Sequence, residues 1–196
     1  MSRIEQALAQ LGHLSYEVTK TVNGRWWRWF TCWFSEVVWV LVSYRVSRAL
    51  YLAMGKSYIA LRVVTAPVLF LIRPWLGGCD IHYRADIGRG LTVLHPALGV
   101  VVNGATVVGR NLTLTGGNCI GGRRSVRSGD IVLGDDVTLG ANAVVLGPVR
   151  LGSGVRVGAG AVVVHGAGDG QILVGVPAVP LDGSHPSRKG ASDPGC

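Results

Sequence analysis

The sequence predicts an all-β solenoid of stacked six-residue repeats, preceded by an α-helical N-terminal segment. Three observations lead there. First, from Leu133 the chain repeats every six residues: LGDDVT, LGANAV, VLGPVR, LGSGVR, VGAGAV. Second, the same register runs earlier, as IHYRAD from Ile81, IGRGLT from Ile87, VNGATV from Val102, VGRNLT from Val108, LTGGNC from Leu114 and IGG from Ile120. Third, no such period exists before Leu76, where apolar residues recur instead at three- and four-residue steps. Each repeat opens with an aliphatic residue and carries a small or β-branched residue near its fifth place. A short fixed period means a quasi-one-dimensional stack, with one aliphatic residue per unit piled on its neighbours. Glycine and small polar residues supply the turns between short strands.

The 196 residues suffice for one solenoid and a small second element. Although there are 29 glycines, the hydrophobic fraction of 48% excludes a disordered Gly-rich linker protein. Residues 1–76 form the apolar, basic front segment. Helices are expected from Phe34 to Ala53, with Arg45 and Arg48 together on another face, and from Ser57 to Ile72, kinked at Pro67. Up to Leu76 there are nine Lys and Arg against three Glu, and all six Trp lie before the solenoid. Glu36, Arg45, Arg48 and Arg62 interrupt the apolar runs before either reaches about eighteen residues, the length of a membrane span. Three readings of this segment stay open: helices packed on the solenoid's first coil or on each other in an oligomer, interfacial membrane binding through residues 25–75, and a true span. The basic charge does not imply nucleic acid, because no known nucleic-acid-binding fold or stacking platform accompanies it.

Residues 77–181 are expected to form the solenoid, and 182–196 a flexible tail. Cys32, Cys79, Cys119 and Cys196 are scattered, so neither a disulfide framework nor a zinc knuckle is expected, and a reducing compartment fits. The N-terminus MSRIEQALAQLGH has no apolar signal core. The expected location is the cytoplasm, with peripheral attachment at the inner face of the plasma membrane if the front segment binds lipid.

The most specific stretch is GCDIHYRADIGRGLTVLHPALGVVV, Gly78 to Val102. With its Asp80-Ile81-His82, its Ile87-Gly88-x-Gly90 turn and His95 ahead of Gly99-Val100-Val101, the chain resembles the hexapeptide-repeat acyltransferases, in particular serine acetyltransferases and their relatives that acetylate sugars. The later LGANAVVLGPVRLGSGVRVGAGAVVV and the closing GVPA extend the resemblance over roughly residues 77 to 181. The resemblance implies a left-handed parallel β-helix, acetyl-CoA as co-substrate without a metal, and a homotrimer, or a dimer of trimers, whose donor groove lies between subunits. It also implies that Asp80 and His95 are the catalytic pair.

The chemistry asked of that pair is simple. A hydroxyl is a poor nucleophile at neutral pH, and a neutral imidazole can take its proton as it attacks the thioester carbonyl. A carboxylate on the far ring nitrogen fixes the tautomer. His95 is the expected base and Asp80 its orienter. His82, two residues after Asp80, shares its face of a strand and either lines the acceptor site or is structural. Gly121, Gly122, Gly140, Ala141, Gly158 and Ala159 are small enough to let pantetheine approach the backbone. Arg156, Arg188 and Lys189 are candidate phosphate contacts. A metal site is not expected, since His13, His165 and His185 lack ligand spacing.

The departures from the serine enzymes concern the acceptor. Those enzymes carry an Asp just before the catalytic His, where this chain has Leu94, and an Arg-His pair where it has Gly129 and Asp130. The loop from Gly121 to Asp130 breaks the six-residue register, and its Arg123, Arg124 and Arg127 suit an anionic acceptor. The apolar front segment also looks more like the exopolysaccharide-type enzymes. The expected reaction is therefore acetyl transfer to a hydroxyl of a sugar or glycan in surface polysaccharide synthesis. Serine O-acetylation is the alternative, with a catalytically inactive trimeric scaffold behind it.

Overall fold

The computed structural model describes residues 2–22, 34–72 and 78–181. The expected tail, Arg188, Lys189 and the Trp-rich stretch up to Trp33 lie outside the described residues, as does the expected boundary near Leu76.

From Asp80 the chain winds as a parallel β-solenoid in which strands three apart in the chain are neighbours, until β14 stacks on β12 in the last coil. One sheet stacks β1 (Asp80–Ile81), β4 (Val100–Val102), β7 (Asn118–Gly122), β10 (Val144–Gly147) and β13 (Val162–Val163). A second stacks β2 (Asp86–Ile87), β5 (Thr106–Val108), β8 (Ile131–Leu133) and β11 (Val149–Leu151). The third stacks β3 (Thr92–Val93), β6 (Thr113–Leu114), β9 (Thr138–Leu139), β12 (Arg156–Val157) and β14 (Ile172–Val174), and closes with β15 (Val179–Pro180) running antiparallel. The repeat explains this shape. Leu133, Leu139, Val145, Leu151, Val157 and Val163, the first residues of successive units, are all buried. So are the fifth-place residues Val137, Ala143, Val149, Val155 and Ala161. Two inward positions in six give each coil an apolar interior, and the fixed period stacks like on like.

Helix α1 (Arg3–Val22) starts at a reciprocal cap: the Ser2 N–H donates to Glu5 Oε2 at 2.7 Å, and the Glu5 N–H to Ser2 Oγ at 3.2 Å. Helix α2 (Glu36–Met54) and helix α3 (Ser57–Ile72, with Pro67 inside) match the two expected helices to within two residues. The first coil has no preceding coil to bond, and α1 and α2 cover it. Val40, Leu41 and Tyr44 of α2 share the core of Ala85, Ile87 and Leu91. The Tyr44 hydroxyl donates to Ala85 O at 2.9 Å and accepts from the Ile87 N–H at 3.2 Å. Burial raises the Tyr44 pKa.

The face that Arg45 and Arg48 share is buried. Arg45 is wholly buried against Glu17 of α1, and Arg48 reaches the Arg84 carbonyl at 2.9 Å and the Asp86 carboxylate at 3.1 Å. Of the three readings of the front segment, packing on the first coil is what α1 and α2 do. By length and mean hydropathy (1.3) α2 could cross a membrane, although its charges break the uninterrupted run. Its buried face is already occupied by the solenoid.

Candidate active site

The chain turns from the third sheet to the first at the segment carrying His95. After β3, the His95 N–H donates to Thr115 O at 2.9 Å, so the residue is held by the coil above. A single 3-10 turn, Pro96–Leu98, follows. From the coil below, Cys79 Sγ donates to Pro96 O at 3.4 Å. Burial pushes the Cys79 thiol up to about 11, so it stays a neutral donor. Asp80 is the next residue, opening β1 in register with Val101 of β4. The structure thus brings Asp80 and His95 to one edge of the solenoid, both exposed. Among the described residues no hydrogen bond joins the two side chains.

Exposed apolar residues lie close to His95 in the chain. Leu94, Leu98 and Val101 are 50%, 56% and 47% exposed. His82 has a different setting. It follows β1 at the next corner, its Nδ1 accepts the Arg84 N–H at 3.1 Å, and its ring stacks on Tyr83 at 4.4 Å. Burial, then Arg62, lower its pKa, against the opposing pull of Asp80. With one ring nitrogen taken by backbone, His82 is built as a corner histidine.

The six small residues expected to meet pantetheine separate into two groups. Gly140, Ala141, Gly158 and Ala159 stack on the corner of His95, linked by Thr115 N–H to Leu139 O, Gly140 N–H to Val157 O and Gly160 N–H to Ala141 O. Part of the reason for glycine at 140 is internal: a Cβ there would lie 2.6 Å from the Ala159 nitrogen. Gly121 and Gly122 instead end β7, at the far side of the first sheet. A Cβ at Gly122 would collide with Val126, so that space belongs to the chain's own loop.

That loop carries Arg123, Arg124 and Arg127, all exposed. Asp130 closes it: its carboxylate accepts the Arg127 N–H at 2.7 Å, and its own N–H donates to Arg127 O at 3.0 Å. Gly129 N–H bonds Ala105 O below and Asp130 O accepts Val149 N–H above. Within one chain the basic loop and His95 therefore stand at opposite ends of β7. Arg156 is exposed on β12. Among the described residues no group of three His, Cys, Asp or Glu is placed to hold a metal. A cavity of about 520 Å³, lined by His13, Gly88, Arg89 and Arg110, lies at another corner, beside α1.

Asn118 was not foreseen as a site residue. It is 1% exposed, its Oδ1 accepts the Gly116 N–H at 2.9 Å, and its Nδ2 donates to Gly140 O at 2.7 Å. The sequence did hold a signal, since Asn118 occupies the inward fifth place of LTGGNC, where a polar residue must find buried partners.

Residues 130–165 match the family model described as bacterial transferase hexapeptide (six repeats). The serine acetyltransferase of Helicobacter pylori (strain ATCC 700392 / 26695) is 32% identical over 124 residues, covering 54% of this chain and 68% of that protein. The crystal structure of Neisseria gonorrhoeae serine acetyltransferase superposes with a TM-score of 0.71 at 27% identity, over 91% of this chain and 68% of that one. The same enzyme in complex with serine gives 0.68 at 27% identity, over 90% and 72%.

Proposed function

Because this chain belongs to the hexapeptide-repeat transferase family, within which it is related to the serine acetyltransferases, we propose that it transfers the acetyl group of acetyl-CoA to the hydroxyl of L-serine. The observation that carries this reading is the relationship to the Helicobacter enzyme, 32% identical over 124 residues and matched over 68% of its length. The same relationship corrects the acceptor expected from the sequence. A sugar hydroxyl was inferred from the apolar front segment, Leu94 and the missing Arg-His pair, and relatives that are serine acetyltransferases overturn it. The front segment has another use, since α1 and α2 cap the first coil.

In this reading His95 removes the serine hydroxyl proton as that oxygen attacks the acetyl carbonyl, and returns a proton to the departing CoA sulfur. Asp80 orients the imidazole. Gly140, Ala141, Gly158 and Ala159 give the donor a flat corner to lie along, and Arg123, Arg124 and Arg127 supply cations for the serine carboxylate. The working unit is a homotrimer. Two features support it: the exposed apolar residues Leu94, Leu98 and Val101 near His95 in the chain, and a basic loop that within one chain stands at the opposite end of β7 from His95. The place of work is the cytoplasm.

The test is steady-state release of CoA with L-serine as acceptor. Saturable turnover is expected, lost in His95→Ala. Turnover with sugar hydroxyls and none with L-serine would overturn the proposal. A further prediction concerns Leu94. An acid at this position in the serine enzymes could meet the ammonium, and a hydrogen bond to a charged group is worth about 1.5–3 kcal/mol. Leu94→Asp should therefore lower KM for serine roughly tenfold or more, with kcat little changed. An unchanged KM would remove this position from the serine pocket.

A further inference from the structure

We propose that Asn118, acting through Gly116, is a positioning residue that fixes the His95 loop for proton transfer; this rests on His95 being the base. Asn118 fills an inward fifth place that aliphatic or small residues occupy in the coils above, as Val137, Ala143, Val149 and Val155 do. An amide there displaces apolar packing, and its two buried bonds give it a task. Its Oδ1 holds the Gly116 N–H and its Nδ2 holds Gly140 O, so it ties two successive corners together at the level above His95.

Gly116 is the contact point with the loop. Its φ of +135° suits glycine alone. A Cβ at 116 would lie 2.5 Å from the His95 carbonyl oxygen and 3.2 Å from Leu98 Cβ and Cδ1. Thus the His95 turn rests directly on the Gly116 backbone. Around it, Gly117 N–H donates to Gly99 O at 2.6 Å and Asn142 N–H to Gly116 O at 2.9 Å. From the other side Cys79 holds Pro96 O. The histidine turn is clamped between coils, and Asn118 sets the height of the upper jaw.

The loop's own bonds would survive a small shift, but a general base must sit within hydrogen-bond reach of its proton. A displacement of about 1 Å can cost on the order of a hundredfold in rate. Gly116→Ala and Asn118→Ala are therefore expected to lower kcat about tenfold to a hundredfold, with KM for acetyl-CoA and serine within about twofold of wild type. Gly170→Ala is the control: Gly170 has a φ of +68° and open space around it, so the substitution strains the backbone without touching the turn. It should lower Tm and leave kcat unchanged.

A second arm separates this proposal from the reading beneath it. In a His95→Ala background, Gly116→Ala should change the residual rate by less than about twofold, because there is no base left to misplace. If His95→Ala itself retains wild-type turnover, the assignment of the base fails. If His95→Ala is inactive but Gly116→Ala and Asn118→Ala keep wild-type kcat, or if they slow the His95→Ala residual rate as much as the wild-type rate, the positioning role is refuted and the base stands.

Discussion

His95→Ala is expected to reduce turnover by about a hundredfold to ten-thousandfold, the usual contribution of a positioned general base. The substitution isolates the imidazole. His95 is bonded to the solenoid through its backbone N–H to Thr115 O, which alanine keeps. Its φ of −128° and ψ of 75° demand nothing that alanine cannot adopt. The side chain is exposed, so no cavity forms. Thermal stability and the KM values should therefore stay near wild type while kcat falls. Asp80→Asn should slow the reaction less, because the base remains but loses its orienting charge. Purified His95→Ala protein with wild-type kcat would remove this residue from the mechanism.

The solenoid was legible because its physics is local and periodic. An aliphatic residue at Leu133, Leu139, Val145 and Leu151 can only face inward once the strands stack. Helices α2 and α3 were legible for the same reason, as apolar spacing. Helix α1 falls within the segment expected to be helical but was given no bounds, although Ser2 and Glu5 spell its capping pair. Asp80 and His95 lie at neighbouring levels of one edge, less than one coil apart, since Asp80 pairs with Val101. Gly121 and Gly122 stand apart from the other four small residues because they close β7 at its far end, which a count of glycines does not reveal. The acceptor was misjudged for a different reason. Leu94, Gly129 and Asp130 show what the site lacks, and an absence does not name a replacement. Least visible were the buried charges. A spacing argument puts Arg45 on a face with Arg48 but does not reveal its partners, since nothing nearby in sequence points to Glu17 or the carbonyls of Ile87 and Gly88.

Those charges support the second large prediction: Arg45→Met should cost about 3–5 kcal/mol of stability, as expected for breaking a buried ion pair. Nε of Arg45 donates to Glu17 Oε2 at 3.1 Å and Nη2 to Glu17 Oε1 at 2.5 Å. The same guanidinium meets Gln10 Oε1 and Ile87 O at 2.7 Å and Gly88 O at 2.6 Å. Glu17 Oε1 in turn accepts the Gly90 and Leu91 N–H groups at 3.0 and 2.9 Å. These four backbone groups line the open end of the first coil, where no earlier coil can bond them. An ordinary buried ion pair can often be exchanged for apolar residues at little cost. Here the exchange would leave two carbonyls and two N–H groups buried and unpaired, at about 1–3 kcal/mol each. The paired substitution Glu17→Leu with Arg45→Met is therefore expected to be no more stable than Arg45→Met alone. At about 2–4 °C per kcal/mol for a chain of this size, the single change should lower Tm by roughly 6–20 °C. Thermal unfolding followed by circular dichroism measures both variants. A double variant restored to wild-type Tm would mean that the pair is a replaceable ion pair and that the coil's edge is satisfied without it.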